Sequence, residues 1–140
     1  MNPYRKIGSK PKKIKHISLK VLRKKAWALQ SEYVRRSERG ICYTCGSHNE
    51  WKNTQCGHYI HGNWMDFILM NLHCQCIGCN HFKSGNSGVY AERLIAEYGE
   101  QAVAELRVWS QQNKNKKYNI FELEELITKY KTLLEGQING

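Results

Sequence analysis

Proline is nearly missing from this 140-residue chain: both prolines fall within the first 17 residues, so nothing beyond them is barred from helix or strand on that account. Long apolar runs are missing too. No stretch approaches the roughly 18 residues that a membrane span needs, and nothing in the chain is expected to cross or enter a bilayer. The basic N-terminal segment lacks the apolar core of a secretory signal, which points to a reducing cytoplasm, where structural disulfides are rare. No internal repeat is visible, and no heptad run specifies a coiled coil. Acids are scarce in one region only. Residues 1–40 hold 13 Lys/Arg against 2 Asp/Glu, a charge of +11, whereas residues 41–140 sum to −1. Charge gathered in one segment makes a footprint for a polyanion, with nucleic acid the leading partner and a solvated tail the alternative. Few bulky apolar anchors accompany it, which counts against an anionic membrane.

What the chain does contain is six cysteines, four of them in two Cys-x-x-Cys pairs, Cys42/Cys45 and Cys76/Cys79. A two-residue spacer lets both sulfurs of a pair reach one ion without backbone strain, so the four thiolates can complete a tetrahedral, structural Zn2+ site. Two disulfides, a redox pair or unliganded thiols are the competing readings, and each needs a context this sequence does not supply. Cys56 and Cys74 lie outside the pairs and are expected as small buried apolar residues.

Four segments follow from composition and periodicity. Residues 1–17 alternate cations with the prolines and read as a disordered basic arm, with Lys12, Lys13 and Lys15 placed to meet phosphates and to order on DNA. Residues 18–40 carry Leu19, Leu22, Ala26, Leu29 and Tyr33 at helical spacing, with Ser18 as N-cap and Gly40 as the stop. The opposite face holds Lys20, Arg23, Lys24, Arg35 and Arg36, which can follow a DNA backbone while the apolar stripe packs on the zinc region. Residues 41–99 form the zinc-binding core: a strand-like Thr54–Ile60, a bend at Gly62-Asn63, a knuckle running into a short helix, and a second helix over Val89–Tyr98 closed by Gly99. Residues 100–140 form a helical tail. It comprises Glu100–Gln112, the polar linker Lys114–Lys117, and a last helix opened by a capping box of Asn119 and Glu122 and ended at Gly136.

The segments CYTCG, CGHYI, NLHCQCIGCNHFKSGN and YAERLIAEYG resemble the NinG (Rap) recombination proteins of lambdoid phages, structure-selective nucleases that process recombination junctions. The likeness extends roughly from Ser18 to Leu134. The underlying pattern is similar to the HNH, or ββα-metal, nuclease superfamily, in which a first-strand His, a loop Asn and a helix His or Asn build the active centre. By that resemblance His58, Asn71 and Asn80 take the three catalytic positions, and the fold is α+β: a zinc-stapled ββα-metal core with a basic N-terminal helix and C-terminal helices. It further implies a DNA endonuclease acting on branched intermediates, in a bacterial host cytoplasm if the gene is a phage's. Two symmetric cuts in such a substrate would suit a homodimer.

Chemistry gives its own reason for those residue types. Phosphodiester hydrolysis needs an activated water, a counter-charge for the pentacoordinate phosphorane and help for the departing 3′ oxygen. A neutral imidazole at His58 can take the proton near pH 7, while Mg2+ or Mn2+ held partly by Asn80 polarises the phosphate. Asn71 is expected to bond backbone groups of the loop and so hold the imidazole's direction. Gly57 is the difficulty, because many ββα nucleases carry a metal-binding residue immediately before the catalytic His. A further ligand would have to come from His61, Asp66, His81 or Glu92, with His81 and His61 ranked first. Lys83 and Ser84, one turn beyond Asn80, are expected against the scissile strand. Opposed to each assignment stands an ordinary structural role: a hydrogen-bonded strand histidine, a turn asparagine, a solvated lysine. A non-catalytic zinc module that binds DNA or a protein remains the alternative function, and charge alone does not separate DNA from RNA.

Overall fold

The computed structural model describes residues 17–139. The expected basic arm, with Lys12, Lys13 and Lys15, therefore lies outside the described residues apart from Ile17. The described elements are helix α1 (Leu19–Ser37), strands β1 (Thr54–His58) and β2 (Leu72–Cys76), and helices α2 (Ser87–Tyr98), α3 (Glu100–Gln112) and α4 (Ile120–Asn139). The architecture is α+β, mostly helical around one small sheet.

Helix α1 starts where Ser18, in extended conformation, accepts a hydrogen bond from the Val21 amide at 3.3 Å. Such a cap contributes about 1 kcal/mol. The helix stops because Arg39 and Gly40 both take positive φ, 56° and 70°, and a Cβ at Gly40 would come within 2.0 Å of the Asn49 carbonyl oxygen. The buried stripe differs from the expected one. Leu22, Ala26, Gln30, Ser31 and Val34 are covered, whereas Leu19 is half exposed. The reason is the identity of the partner: Leu22 and Ala26 face Leu123 and Ile127 of α4, with Phe67, and Leu19 lies beyond the reach of that contact. Farther along, Val34 with Trp27 and Tyr33 packs on Cys56 and Leu72 of the sheet. One helix thus binds the C-terminal helix and the hairpin together.

Strands β1 and β2 pair antiparallel, Thr54 opposite Cys76 and His58 opposite Leu72. Side chains alternate, so Thr54, Cys56 and His58 share the face toward α1, and Gln55 and Gly57 share the other with His73 and Gln75. β1 ends at His58, two residues short of the expected Ile60, because the Ile60 amide and carbonyl bond the Asn71 side chain instead of a partner strand. After β2 a wide π-type turn, Gly78–Phe82, leads through left-handed Ser84 and Asn86 into α2. Tyr90 of α2 is fully buried and donates to the Gly57 carbonyl at 2.9 Å, which seats the helix on the sheet. Helix α4 opens with reciprocal bonds: Asn119 Oδ1 accepts from the Glu122 amide at 2.8 Å, and Glu122 Oε2 from the Asn119 amide at 3.2 Å. It does not stop at Gly136. The helix runs on to Asn139, and Gln137 donates to Ser37 Oγ at 2.6 Å.

Candidate functional site

At the knuckle end of the hairpin, Cys42, Cys45, Cys76 and Cys79 bring their sulfurs within 4.8 Å of one another. Cys45 and Cys76 stand 3.7 Å apart, Sγ to Sγ. Four ligands at about 2.3 Å from a tetrahedral centre would be separated by roughly 3.8 Å, so the cluster has the dimensions of a zinc site. Turn geometry explains the convergence. The Gly46 amide bonds the Cys42 carbonyl at 2.8 Å with φ 75°, and the Cys79 amide points at Cys76 Sγ at 3.4 Å. Burial raises the Cys42 thiol, but hydrogen bonds from Thr44 and the knuckle backbone outweigh it and bring the group down to about 6. Burial instead pushes Cys79 up to about 11. Four sulfurs this close cannot all be thiolates without a cation among them, and the cluster could hold a structural divalent metal such as zinc. Cys56 and Cys74 are elsewhere, paired across the strands and buried, with burial raising both thiols.

The opposite end of the sheet carries His58. Its Nε2 lies 2.9 Å from Asp66 Oδ1, and its ring stacks on Trp27 of α1 at a centroid distance of 5.1 Å and an interplanar angle of 12°. Asp66 and the loop that carries it are held by α1. Arg23 donates to its Oδ2 at 2.6 Å, Gln30 to its carbonyl at 2.6 Å, and Arg23 also to the neighbouring Asn63 carbonyl at 2.6 Å. Burial raises the Asp66 carboxyl, yet the hydrogen bonds from His58 and Arg23 prevail and hold it below the ordinary carboxylate value. The carboxylate is therefore ionised at neutral pH and accepts from Nε2–H, so that in the neutral form of the imidazole the free lone pair is on Nδ1. Asn71 is fully buried and clasps both backbone groups of Ile60, fixing the chain just after His58.

Of the remaining sequence candidates, His61 lies beside His58, whereas Asn80 lies toward the knuckle end of the sheet. Asn80 donates to Gln55 Oε1 at 2.7 Å, on the sheet face away from Trp27. His61 is exposed, its ring 5.9 Å from that of His58, and its Nε2 sits 3.4 Å from where a Cβ on Gly85 would be. The loop after β1 and the turn before α2 thus meet at His61. His81, Lys83 and Ser84 are exposed on that turn, and Glu92 is exposed on α2. Gly57 has a structural explanation. A Cβ there would fall 1.8 Å from Oε1 of the buried Gln75, whose amide donates to Thr44 Oγ1 and the Gly85 carbonyl at 3.1 and 2.8 Å. Gln75 occupies the space of any ligand at position 57.

Among the cations expected on the exposed face of α1, Lys20 and Lys24 are exposed. The arginines are engaged within the fold. Arg23 holds Asp66; Arg35 bonds the Ser31 carbonyl at 3.1 Å and lies 5.2 Å from the Trp51 ring centre; Arg36 pairs with Glu32 at 2.8 Å and lies 4.2 Å from the same ring. Asp66 was weighed from sequence as a metal ligand; its placement between His58 and Arg23 assigns it a different contact. One signal for it was available, since it is the only acid between Glu50 and Glu92.

The family model described as Bacteriophage Lambda NinG protein matches residues 4–137. Protein ninG of Escherichia phage lambda is 29% identical over 139 residues, an alignment covering 91% of this chain and 64% of that protein. Protein ninG of Escherichia phage 933W is likewise 29% identical, with 91% and 65% covered. Protein ninG of Salmonella phage P22 is 31% identical over 105 residues, with 67% of this chain and 49% of that protein covered. The chain spans less than two thirds of the length of these curated relatives. No solved structure matches this one.

Proposed function

The chain belongs to the NinG family, and on that premise we propose that it is a metal-dependent DNA endonuclease of the HNH, or ββα-metal, type. Its substrate in this reading is branched DNA of the kind formed in recombination, cut within a bacterial host cytoplasm by a homodimer. One observation carries the proposal: an imidazole at the end of the first strand is tied by Nε2 to an ionised carboxylate, with its chain direction fixed by the Asn71 clasp.

That arrangement suits a general base. With Nε2–H donated to Asp66, Nδ1 takes a proton from water, and the Asp66 carboxylate, held in place by Arg23, stabilises the imidazolium that forms. Trp27 limits rotation of the ring by stacking on it. When bound, Mg2+ or Mn2+ supplies charge to the phosphorane and the departing 3′ oxygen. Protein ligands for that ion are few: among the described residues the cysteines form the one group of three or more metal-ligating side chains, and Gln75 fills the place at Gly57. The ion would rest on Asn80 with His61 or His81, and on oxygens brought by the DNA. Lys83 and Ser84, exposed on the same turn, would face the scissile strand.

The absence of a side chain at position 57 favours one second reading, a zinc-stabilised module that binds DNA without cutting it. The test is incubation of the purified protein with linear, flap and four-way DNA in Mg2+ or Mn2+ and with chelator. Metal-dependent cutting of the branched substrates supports the nuclease. Binding with no cutting under any divalent metal supports the module.

A further inference from the structure

The linker Lys114–Lys117 reads in the sequence as a polar spacer, yet it forms one wall of a groove of roughly 780 Å3 against the start of α1. Lys114, Lys116 and Lys117 line it from one side, Lys20 and Arg23 from the other. No Asp or Glu lines it, although the chain from residue 41 onward is close to neutral. Lys116 alone of its lysines is paired, to Glu122 at 3.4 Å. Trp64 and Tyr118 give it aromatic surface and are fixed in place: Trp64 Nε1 donates to Ser110 Oγ at 2.9 Å, and Tyr118 packs edge-on against Phe67 at 4.9 Å. Its positive charge is therefore displayed from a rigid frame.

The groove is continuous with the histidine site. Arg23 lines it and also holds Asp66, which bonds His58, so two hydrogen bonds of 2.6 and 2.9 Å separate the groove's guanidinium from the imidazole. Asn63 and Trp64 belong both to its wall and to the loop between the strands. An anionic polymer lying in it would pass beside the Arg23–Asp66 pair that holds His58. Residues 1–16 carry six Lys/Arg and no acid, so the charge that complements the groove comes from outside the chain.

We propose that this groove is a DNA-binding surface which takes the phosphate backbone of one arm of the substrate and leads it to His58, with Lys20, Lys114 and Lys117 as its phosphate contacts. The polymer's identity rests on the endonuclease reading; the binding role does not depend on cutting. The test is K114Q/K117Q in the full chain, with equilibrium binding to four-way DNA measured in chelator from low to moderate salt. Loss of two phosphate contacts should lower the slope of log K against log salt by about 1.8 and weaken binding roughly tenfold or more. The pair K129Q/K131Q, on α4 and outside the groove's lining, should change neither. Unaltered affinity and slope in K114Q/K117Q, or an equal loss in K129Q/K131Q, would overturn the proposal, as would a loss confined to anionic lipid vesicles. A reduced slope in a protein that never cuts DNA keeps the groove and removes the nuclease.

Discussion

The two ends of the same short sheet are built on opposite principles. At the Thr54/Cys76 end, four sulfurs converge from two local turns, and geometry is set by residues within three or four positions of each cysteine. At the His58/Leu72 end, the imidazole is positioned by groups remote in sequence: Trp27, Arg23 and Gln30 from α1, Asp66 and Asn71 from the loop. The comparison teaches a separation of labour. The knuckle end fixes where the strands are, and the histidine end sets how one side chain is aimed. Damage to the first should reach the whole fold, whereas removal of the imidazole at the second should reach only chemistry.

The largest effect is expected at the sulfurs. Structural zinc contributes on the order of 10 kcal/mol, comparable to the whole stability of a domain this size, so C42S, C45S, C76S or C79S should each unfold the hairpin region. Loss of about one zinc per chain by elemental analysis, with a collapsed thermal transition, is the measurement; metal-free protein with unchanged circular dichroism and Tm would contradict it. Next comes the aim of the imidazole. D66N should retain zinc and fold but slow single-turnover cleavage on the order of 10- to 100-fold, since an amide no longer selects the tautomer with Nδ1 free. N71A should also slow cleavage, and it should lower Tm as well, because the Ile60 amide and carbonyl would lose their partner. The smallest effect concerns residues 1–17. Their removal should leave folding intact while weakening DNA binding across all sequences alike and flattening its salt dependence. Identical affinity and salt slope in the truncated chain would mark the arm as a solvated tail.

Much of the knuckle end was legible in the sequence because its determinants are local, paired cysteines at a two-residue spacing; the caps Ser18 and Asn119 and the stop at Gly99 were legible for the same reason. The histidine end was legible only in part. His58 and Asn71 were singled out through the resemblance to ββα-metal nucleases, but the inward pull of Arg23 depends on Asp66 lying across from it, 43 positions away. Helical periodicity assigned the arginines of α1 to a solvent face because it counts charge as exposed; Arg35 and Arg36 instead lay their guanidinium groups over Trp51, which only the fold brings near. Leu19 failed as a core residue for the related reason that α1 packs chiefly on α4, a partner that periodicity alone does not identify. The role of Gly57 was hidden as well, since the close approach of Gln75 comes from the neighbouring strand.

The central claim is that His58 performs chemistry and does not hold the fold. The most direct measurement compares wild type with H58A on four-way DNA in Mg2+ or Mn2+, recording zinc content, Tm, affinity in chelator and single-turnover cleavage on the same preparations. The account predicts that zinc content, Tm and affinity stay close to wild type while cleavage falls by on the order of 100-fold or more. Cutting that persists undiminished in H58A would contradict it.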